Sequence, residues 1–135
     1  MSPAVRITVV TFRRPVLLER ALRSLVAQTH AAWSAEVCND DPADGRPAEV
    51  VRRLADPRIS LAPLGPRRGA AARFNEAFRP GPEPYASLLE DDNWWEPAFL
   101  ATMVAALEAR PDVALACGNE RIWREELDGA WTDTG

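Results

Sequence analysis

Three consecutive carboxylates, Glu90, Asp91 and Asp92, follow directly after the apolar, strand-like run Tyr85–Leu89, and two tryptophans come soon after them. Adjacent acids repel one another, and burying them without partners is costly. Carboxylate oxygens suit Mg²⁺ or Mn²⁺, and such a cation can in turn hold a phosphorylated substrate. A solvated acidic loop is the alternative, but the strand before the cluster and the aromatic residues after it favour a binding site.

The composition of the chain limits what such a site can serve. At 135 residues, with 47% apolar and 27% charged residues, the sequence predicts one domain over residues 1–135. The net charge of −4 gives no reason to expect nucleic acid as a partner. No apolar run reaches the roughly 18–20 residues of a transmembrane segment, and the N-terminus lacks a signal peptide's order. Cys38 and Cys117 lie in apolar runs and are predicted to be buried and reduced, which predicts a cytoplasmic protein.

The basic residues exclude several mechanisms. All 16 are arginine, so the chain has neither the lysine of a P-loop nor one for Schiff-base chemistry. The glycine pattern of a dinucleotide-binding turn is also absent. His30 is the only histidine and cannot form a multi-histidine metal site; it is predicted to lie in a loop after the first helix.

Strand and helix signals alternate along the chain. The order predicts an α/β fold, a three-layer α/β/α arrangement with a mainly parallel sheet and right-handed crossovers. The predicted elements are strands Val5–Thr11, Trp33–Cys38, Arg58–Ala62, Tyr85–Leu89 and Val113–Cys117, a helix opened by Pro15, helices Pro47–Ala55, Gly69–Phe78 and Pro97–Ala109, and a hairpin over Ile122–Trp131 around Asp128-Gly129.

Polar clusters follow three of these strands. They are Thr11–Arg14 after the first, Asn39–Asp41 after the second and Glu90–Asp92 after the fourth. Ligands of parallel α/β sheets bind outside the carboxyl ends of the strands, so these clusters are expected to meet at one edge. The sequence therefore predicts a ligand site there.

Five segments in this order resemble the N-terminal, nucleotide-binding half of a family 2 glycosyltransferase with the GT-A, Rossmann-like fold. The match runs from about Ile7 to Asn119 and includes the opening T-Y-N-R-like turn and a D-x-D-like motif. The segments are Ile7–Pro15, Leu22–His30, Asn39–Gly45, Gly69 with Asn75, and Tyr85–Leu100.

The resemblance implies a function and a set of site residues. Such enzymes transfer a sugar from a nucleotide-diphosphate donor, here a UDP-, GDP- or dTDP-sugar, to an acceptor hydroxyl, usually with inversion, and they use Mn²⁺ or Mg²⁺. Asp92 is implied as the direct metal ligand, and Glu90 as the residue near the ribose or the metal's water shell. The implied nucleotide-sugar-binding residues are Thr11, Arg13, Asn39, Asp40, Arg68, Arg73, Asn75, Glu90, Asp91 and Trp95.

Individual roles also follow from the resemblance. Asp40 matches the acid that recognises the base or ribose, and Thr11 is expected to contact the base through its backbone. Arg68 or Arg73 could pair with the base or a phosphate, although arginines at a helix start are often only solvated. Trp95 could pack against a sugar face. The sugar, the base and the acceptor are not identified by the sequence.

The catalytic base of such enzymes lies in an acceptor-binding half, which is expected to lie beyond the end of this chain. The sequence therefore predicts a truncated enzyme or a donor-binding half whose exposed sheet edge would favour pairing of two copies. A non-catalytic nucleotide-sugar-binding domain is the first alternative. A nucleotidyltransferase is the second, and is disfavoured because its usual glycine-rich basic loop is missing from Thr11–Pro15.

Overall fold

The computed structural model describes residues 2–135. They form two units, of which the first ends at Thr102 and the second runs from Met103 to Gly135. No helix in the described part of the chain is both long and apolar enough to cross a membrane. The elements are β1 (Val5–Thr11), α1 (Pro15–Val26), β2 (Trp33–Asn39), α2 (Arg46–Leu54), β3 (Ile59–Leu61), α3 (Ala70–Ala77), β4 (Tyr85–Glu90), α4 (Phe99–Ala109), β5 (Trp123–Glu125) and β6 (Trp131–Asp133).

The first unit is built on a parallel sheet with strand order β3-β2-β1-β4. Strand β1 lies in the middle, with Val9 paired beside Val37 of β2 and beside Leu89 of β4. All three of these side chains are buried, as expected for a central strand that is covered on both faces. The predicted α/β fold with a mainly parallel sheet is confirmed.

The connections explain where a ligand can bind. From β1 to β3 the chain moves along the sheet in one direction, and the crossover through α3 returns it to the opposite side of β1. Right-handed crossovers therefore put α1 and α2 on one face and α3 on the other. The strand order reverses between β1 and β4, and such a switch point leaves a crevice at the carboxyl ends of the strands.

Helix α1 anchors one face of the sheet. Pro15 occupies its first turn, where the missing N–H costs nothing, and the apolar residues recur at helical spacing. Leu18, Leu22 and Leu25 are fully buried. Each such side chain contributes about 1.5–3 kcal/mol relative to an exposed one. This packing fixes the start of α1, and with it the turn that follows β1.

The second unit contains the hairpin β5–β6, with Trp123 paired with Asp133, and Gly129 adopts φ +81° in its turn. The predicted hairpin is confirmed. The predicted strand Val113–Cys117 is wrong: these residues form no strand, and Leu115 is largely exposed. Among the described residues of this unit only β5 and β6 pair, so the run has no partner strand to satisfy its backbone. Cys117 is consequently exposed, against the prediction, whereas Cys38 is buried.

Candidate functional site

A cleft of about 290 Å³ opens at the carboxyl ends of β1, β2 and β4. It lies at the switch point of the sheet and brings together the three predicted polar clusters. Its lining comprises Val10, Thr11, Phe12, Arg14, Asp40, Arg67, Gly69, Ala70, Phe74, Glu90, Asp91 and Asp92.

Asp40, which follows β2, is the most tightly held acid of the cleft. Only 4% of the residue is exposed, and its carboxylate accepts hydrogen bonds from the backbone N–H groups of Arg68 and Gly69, both at 2.9 Å, and from Arg73 Nε at 3.2 Å. Burial raises the pKa of this carboxyl, but these donors outweigh burial and the pKa lies below its usual value of 3.8. Asp40 is therefore an ionised acceptor at neutral pH.

The hydrogen bond from the Gly69 N–H to Asp40 depends on the backbone conformation of this glycine. It adopts φ +80° and ψ 159° immediately before α3, a backbone region that residues with a Cβ almost never adopt, and its N–H reaches Asp40 in that conformation. A Cβ added here would meet no atom within 4 Å, so the demand for glycine comes from the backbone and not from crowding.

Gly69→Ala is expected to lower the free energy of unfolding by about 1–3 kcal/mol because of this backbone strain. Gly45→Ala is the matched control: Gly45 has φ −79° and equally open space, so this change is expected to be neutral or to stabilise by about 0.4–1 kcal/mol. Urea unfolding of the two variants measures both values. Equal stabilities would show that the turn before α3 does not need its observed backbone conformation.

The three acids at the end of β4 differ in exposure. Asp91 is buried, whereas Glu90, the last residue of the strand, and Asp92 are exposed. The Asp91 carboxylate accepts a hydrogen bond from Thr11 Oγ1 at 2.8 Å and one from the Phe12 N–H at 3.2 Å. Asp91 thus ties the end of β4 to the end of β1.

Asp92 and Glu90 present their carboxylates to solvent at the mouth of the cleft. Asp92, whose side chain is 48% exposed, accepts a hydrogen bond from Arg14 Nη1 at 2.8 Å, and its backbone carbonyl accepts one from Arg20. Residues 2–135 contain no cluster of three or more His, Cys, Asp or Glu side chains arranged to hold a metal ion. Mg²⁺ is usually held in proteins by one or two carboxylates together with substrate phosphates and water, and Glu90 and Asp92 are two exposed carboxylates of the cleft lining.

Two further lining residues, Phe12 and Arg67, bring an aromatic ring and a guanidinium to the cleft, and Arg13 lies next to them outside the lining. The Arg67 guanidinium lies over the Phe12 ring, 4.3 Å from its centroid, and Arg67 Nε is 3.9 Å from Asp40 Oδ2. Arg13 lies 5.0 Å from the same centroid and donates to Asp41 at 2.5 Å. Cation–π contact with Phe12 therefore places a guanidinium beside Asp40.

Three predicted site residues, Asn39, Asn75 and Trp95, do not belong to the cleft lining. Asn39 accepts from the Asp41 N–H and donates to the Asp44 carbonyl, so its amide stabilises the turn after β2. Asn75 is exposed on α3. Trp95 stacks on Phe99 with the ring centroids 4.7 Å apart.

The two predicted arginines of the α3 region are held mainly by internal acids. Arg73 is buried and pairs with Asp40 and Glu76, and the Arg68 side chain pairs with Glu76. Both can shape the cleft through Asp40, and a direct contact of either with a ligand stays a prediction.

Seven residues of the lining were not predicted as site residues: Val10, Phe12, Arg14, Arg67, Gly69, Ala70 and Phe74. Phe12 and Arg14 belong to the polar turn after β1, and their position in that turn could have identified them as site residues. Arg67 precedes the loop glycine, and nothing in its sequence neighbourhood distinguishes it from the other arginines.

The sequence is similar to known proteins over most of its length. The family model described as glycosyl transferase family 2 matches residues 7–129. WfgD of Escherichia coli, a UDP-Glc:alpha-D-GlcNAc-diphosphoundecaprenol beta-1,3-glucosyltransferase, is 26% identical over 105 residues, which are 78% of this chain and 41% of WfgD. The chain spans between 12% and 46% of the lengths of the curated relatives that it matches.

Solved structures share the fold. The mannosyltransferase PcManGT of Pyrobaculum calidifontis, in complex with GDP-Man and Mn²⁺, aligns with a TM-score of 0.58 and 25% identity over 70% of this chain and 29% of its own. TarS 1-349 of S. aureus aligns with a TM-score of 0.65 over 80% of this chain and 33% of its own, at 16% identity. The second likeness shows the fold alone.

Proposed function

The chain belongs to glycosyl transferase family 2, and we propose that its cleft binds a nucleotide-diphosphate sugar together with a divalent cation for transfer of the sugar to an acceptor hydroxyl. The observation that carries this proposal is that one cleft contains both a buried carboxylate and exposed carboxylates. A buried, ionised acceptor, Asp40, lies on one wall, and two exposed carboxylates, Glu90 and Asp92, lie on another. A nucleotide diphosphate needs both, one for its polar nucleoside and one to hold the cation that its phosphates bring.

Asp92 is the proposed direct metal ligand, and Glu90 is proposed to contribute an oxygen or to hold the metal's water. Mn²⁺ or Mg²⁺ bound there would neutralise the charge that develops on the diphosphate leaving group. The presence of Mn²⁺ and GDP-Man together in PcManGT supports this assignment.

Arg14 is proposed to contact the diphosphate. Its guanidinium bridges Asp92 at 2.8 Å and Asp91 at 3.4 Å, with about half of its side chain exposed. Anionic oxygens arriving at this point would be attracted to it, because a guanidinium offers several donors in one plane. Thr11, by contrast, is engaged with Asp91 and is proposed to approach the nucleoside through its backbone.

We propose a single displacement with inversion, in which the acceptor oxygen bonds to the anomeric carbon while the bond from that carbon to the diphosphate breaks, the nucleoside diphosphate leaves, and the hydroxyl proton passes to a general base. No carboxylate of the cleft lining is assigned as its general base, since Asp40 and Asp91 are held by internal donors and Glu90 and Asp92 are the proposed metal ligands. The same observation favours a second candidate, a domain that binds the donor without transferring the sugar by itself.

Calorimetric titration with UDP, GDP and dTDP, each with Mn²⁺ and each with EDTA, tests the proposal. Saturable binding of at least one nucleotide with Mn²⁺, weakened by EDTA, is expected. Absence of binding to all three with Mn²⁺ would overturn it. Incubation with the matching nucleotide sugar then separates the two candidates, because only the transferase releases nucleoside diphosphate when an acceptor or water is present.

A further inference from the structure

Helix α1 is hydrogen-bonded to the connector that joins β4 to α4, residues 91–98. Arg20 Nη2 donates to the backbone carbonyl of Asp92 at 2.8 Å. One turn further along the helix, Ser24 Oγ accepts a hydrogen bond from the Trp95 N–H at 3.1 Å. Residues four apart lie on the same side of a helix, so both contacts come from one row of side chains. That row therefore holds the backbone of the connector, which carries the proposed metal ligand Asp92.

The row continues just beyond α1 with Gln28, of which only 7% is exposed. Its amide nitrogen donates to the Glu96 carbonyl at 2.8 Å, and its amide oxygen accepts from the Leu100 N–H at 2.9 Å. The Thr29 N–H donates to the Pro97 carbonyl at 2.8 Å. The end of the connector that leads into α4 is therefore fixed by a buried amide and a backbone hydrogen bond.

At the other end of the connector, Arg20 is itself held in place. Its guanidinium lies over the Trp94 ring, 4.1 Å from the centroid, while it donates to the Asp92 carbonyl. Arg14, in contrast, donates to the Asp92 carboxylate, where a cation would compete with it. The hydrogen bond from Arg20 uses neither carboxylate oxygen, so it can persist when the carboxylate binds a cation.

We propose that Arg20 is a positioning residue for the cation of the cleft: together with Trp94 it fixes the backbone of Asp92, and so orders the carboxylate before the cation arrives. This inference rests on the proposed function, because Asp92 is the metal ligand only under that proposal. A binding group that is ordered in advance loses less conformational freedom on binding, which raises affinity.

The charge of Arg20 acts in the opposite direction to this positioning. A guanidinium near a bound divalent cation repels it, so loss of the charge alone would tighten metal binding. Loss of the backbone hydrogen bond would free Asp92 and weaken metal binding, by about 10-fold, as for other outer partners of metal ligands. Because the two effects have opposite signs, a measured loss of metal affinity would distinguish positioning from charge.

Titration with Mn²⁺ in the presence of UDP, GDP and dTDP in turn tests this inference on the unaltered protein and on Arg20→Ala. The variant is expected to need about 10-fold more Mn²⁺ for half-maximal nucleotide binding, with nucleotide affinity in EDTA unchanged. Arg20→Lys keeps a donor and the charge, and is expected to recover part of the loss. Arg23→Ala is the control, since it removes an exposed arginine of the same helix that pairs with Glu19 and does not line the cleft.

Trp94→Leu is a second variant that keeps the arginine and removes the ring on which it lies. It is expected to weaken Mn²⁺ binding in the same way but by less, and it tests the inference even if Arg20→Ala does not fold. Unchanged or tighter Mn²⁺ binding by the folded variants would overturn the positioning role and leave the proposed function standing.

Two further outcomes would also contradict the inference. A loss of nucleotide affinity that is equal with Mn²⁺ and with EDTA would show that Arg20 supports the cleft as a whole and not the metal ligand. Absence of binding of all three nucleotides to the unaltered protein with Mn²⁺ would overturn the proposed function, and this inference with it.

Discussion

Asp92→Asn is expected to abolish the metal-dependent part of nucleotide binding. The change keeps the size of the side chain and removes the charge that would bind the cation most directly. The loss should be at least as large as the roughly 10- to 100-fold that follows removal of an outer partner of a metal ligand. In a titration with UDP, the affinity of the variant with Mn²⁺ should fall to the value that the unaltered protein shows with EDTA.

The control for this experiment is Asp112→Asn, which also removes an acid from an exposed arginine pair. Asp112 pairs with Arg110 at 2.9 Å and does not line the cleft, so its loss should leave nucleotide binding unchanged. If Asp92→Asn retained the full effect of Mn²⁺, the cation would have to be held elsewhere, and the assignment of Asp92 would be wrong. A loss that is equally large with EDTA would assign Asp92 to the nucleotide instead of the metal.

Arg14 forms an ion pair with the proposed metal ligand, Asp92. Because Arg14 donates to an Asp92 carboxylate oxygen, a cation bound by Asp92 would compete with this guanidinium for the same oxygen. A surface pair of this kind contributes about 0–1 kcal/mol, which is small compared with what a divalent cation and a diphosphate contribute together. The pair is therefore weak enough to open when the donor arrives, and it keeps the acids from repelling one another until then.

The convergence of the polar clusters was predictable because it depends on chain order alone. Once Val5–Thr11 is a buried central strand and helices separate the strands, all the parallel strands end at the same edge. Thr11, Asp40 and Asp92 must then lie near one another, whatever the details of packing. The prediction of the cleft therefore needed only hydrophobic periodicity and the positions of the polar residues.

The roles within the cleft could not be predicted in this way. Whether Asp91 or Asp92 faces the interior depends on where β4 ends, and a shift of one residue exchanges the two. Arg67 reaches Asp40 across 27 positions of sequence, through a loop whose course no local pattern records. The prediction of a strand over Val113–Cys117 was wrong for a related reason, because a strand-like composition does not provide a partner strand.

Asp91→Ala is expected to lower the stability of the fold strongly. It would leave the Thr11 hydroxyl and the Phe12 N–H, which Asp91 accepts from, without their partner where the turn after β1 meets β4. Each unsatisfied buried donor costs about 1–3 kcal/mol, so the loss of two partners should lower the free energy of unfolding by about 2–6 kcal/mol. Urea unfolding followed by circular dichroism measures the change.

Replacement of the adjacent acid, Asp92, is the control for Asp91→Ala. Asp92→Ala removes a carboxylate that is half exposed and whose partner Arg14 is also half exposed, so stability should change by no more than about 1 kcal/mol. Asp91→Asn retains an acceptor oxygen for Thr11 and should recover part of the lost stability. If both alanine variants were equally stable, Asp91 would not be the tie between β1 and β4. If only Asp91→Ala is destabilised, the middle acid holds the fold and the outer acid, Asp92, is left to bind the ligand. These separate roles would explain why two neighbouring carboxylates are tolerated at the end of one strand.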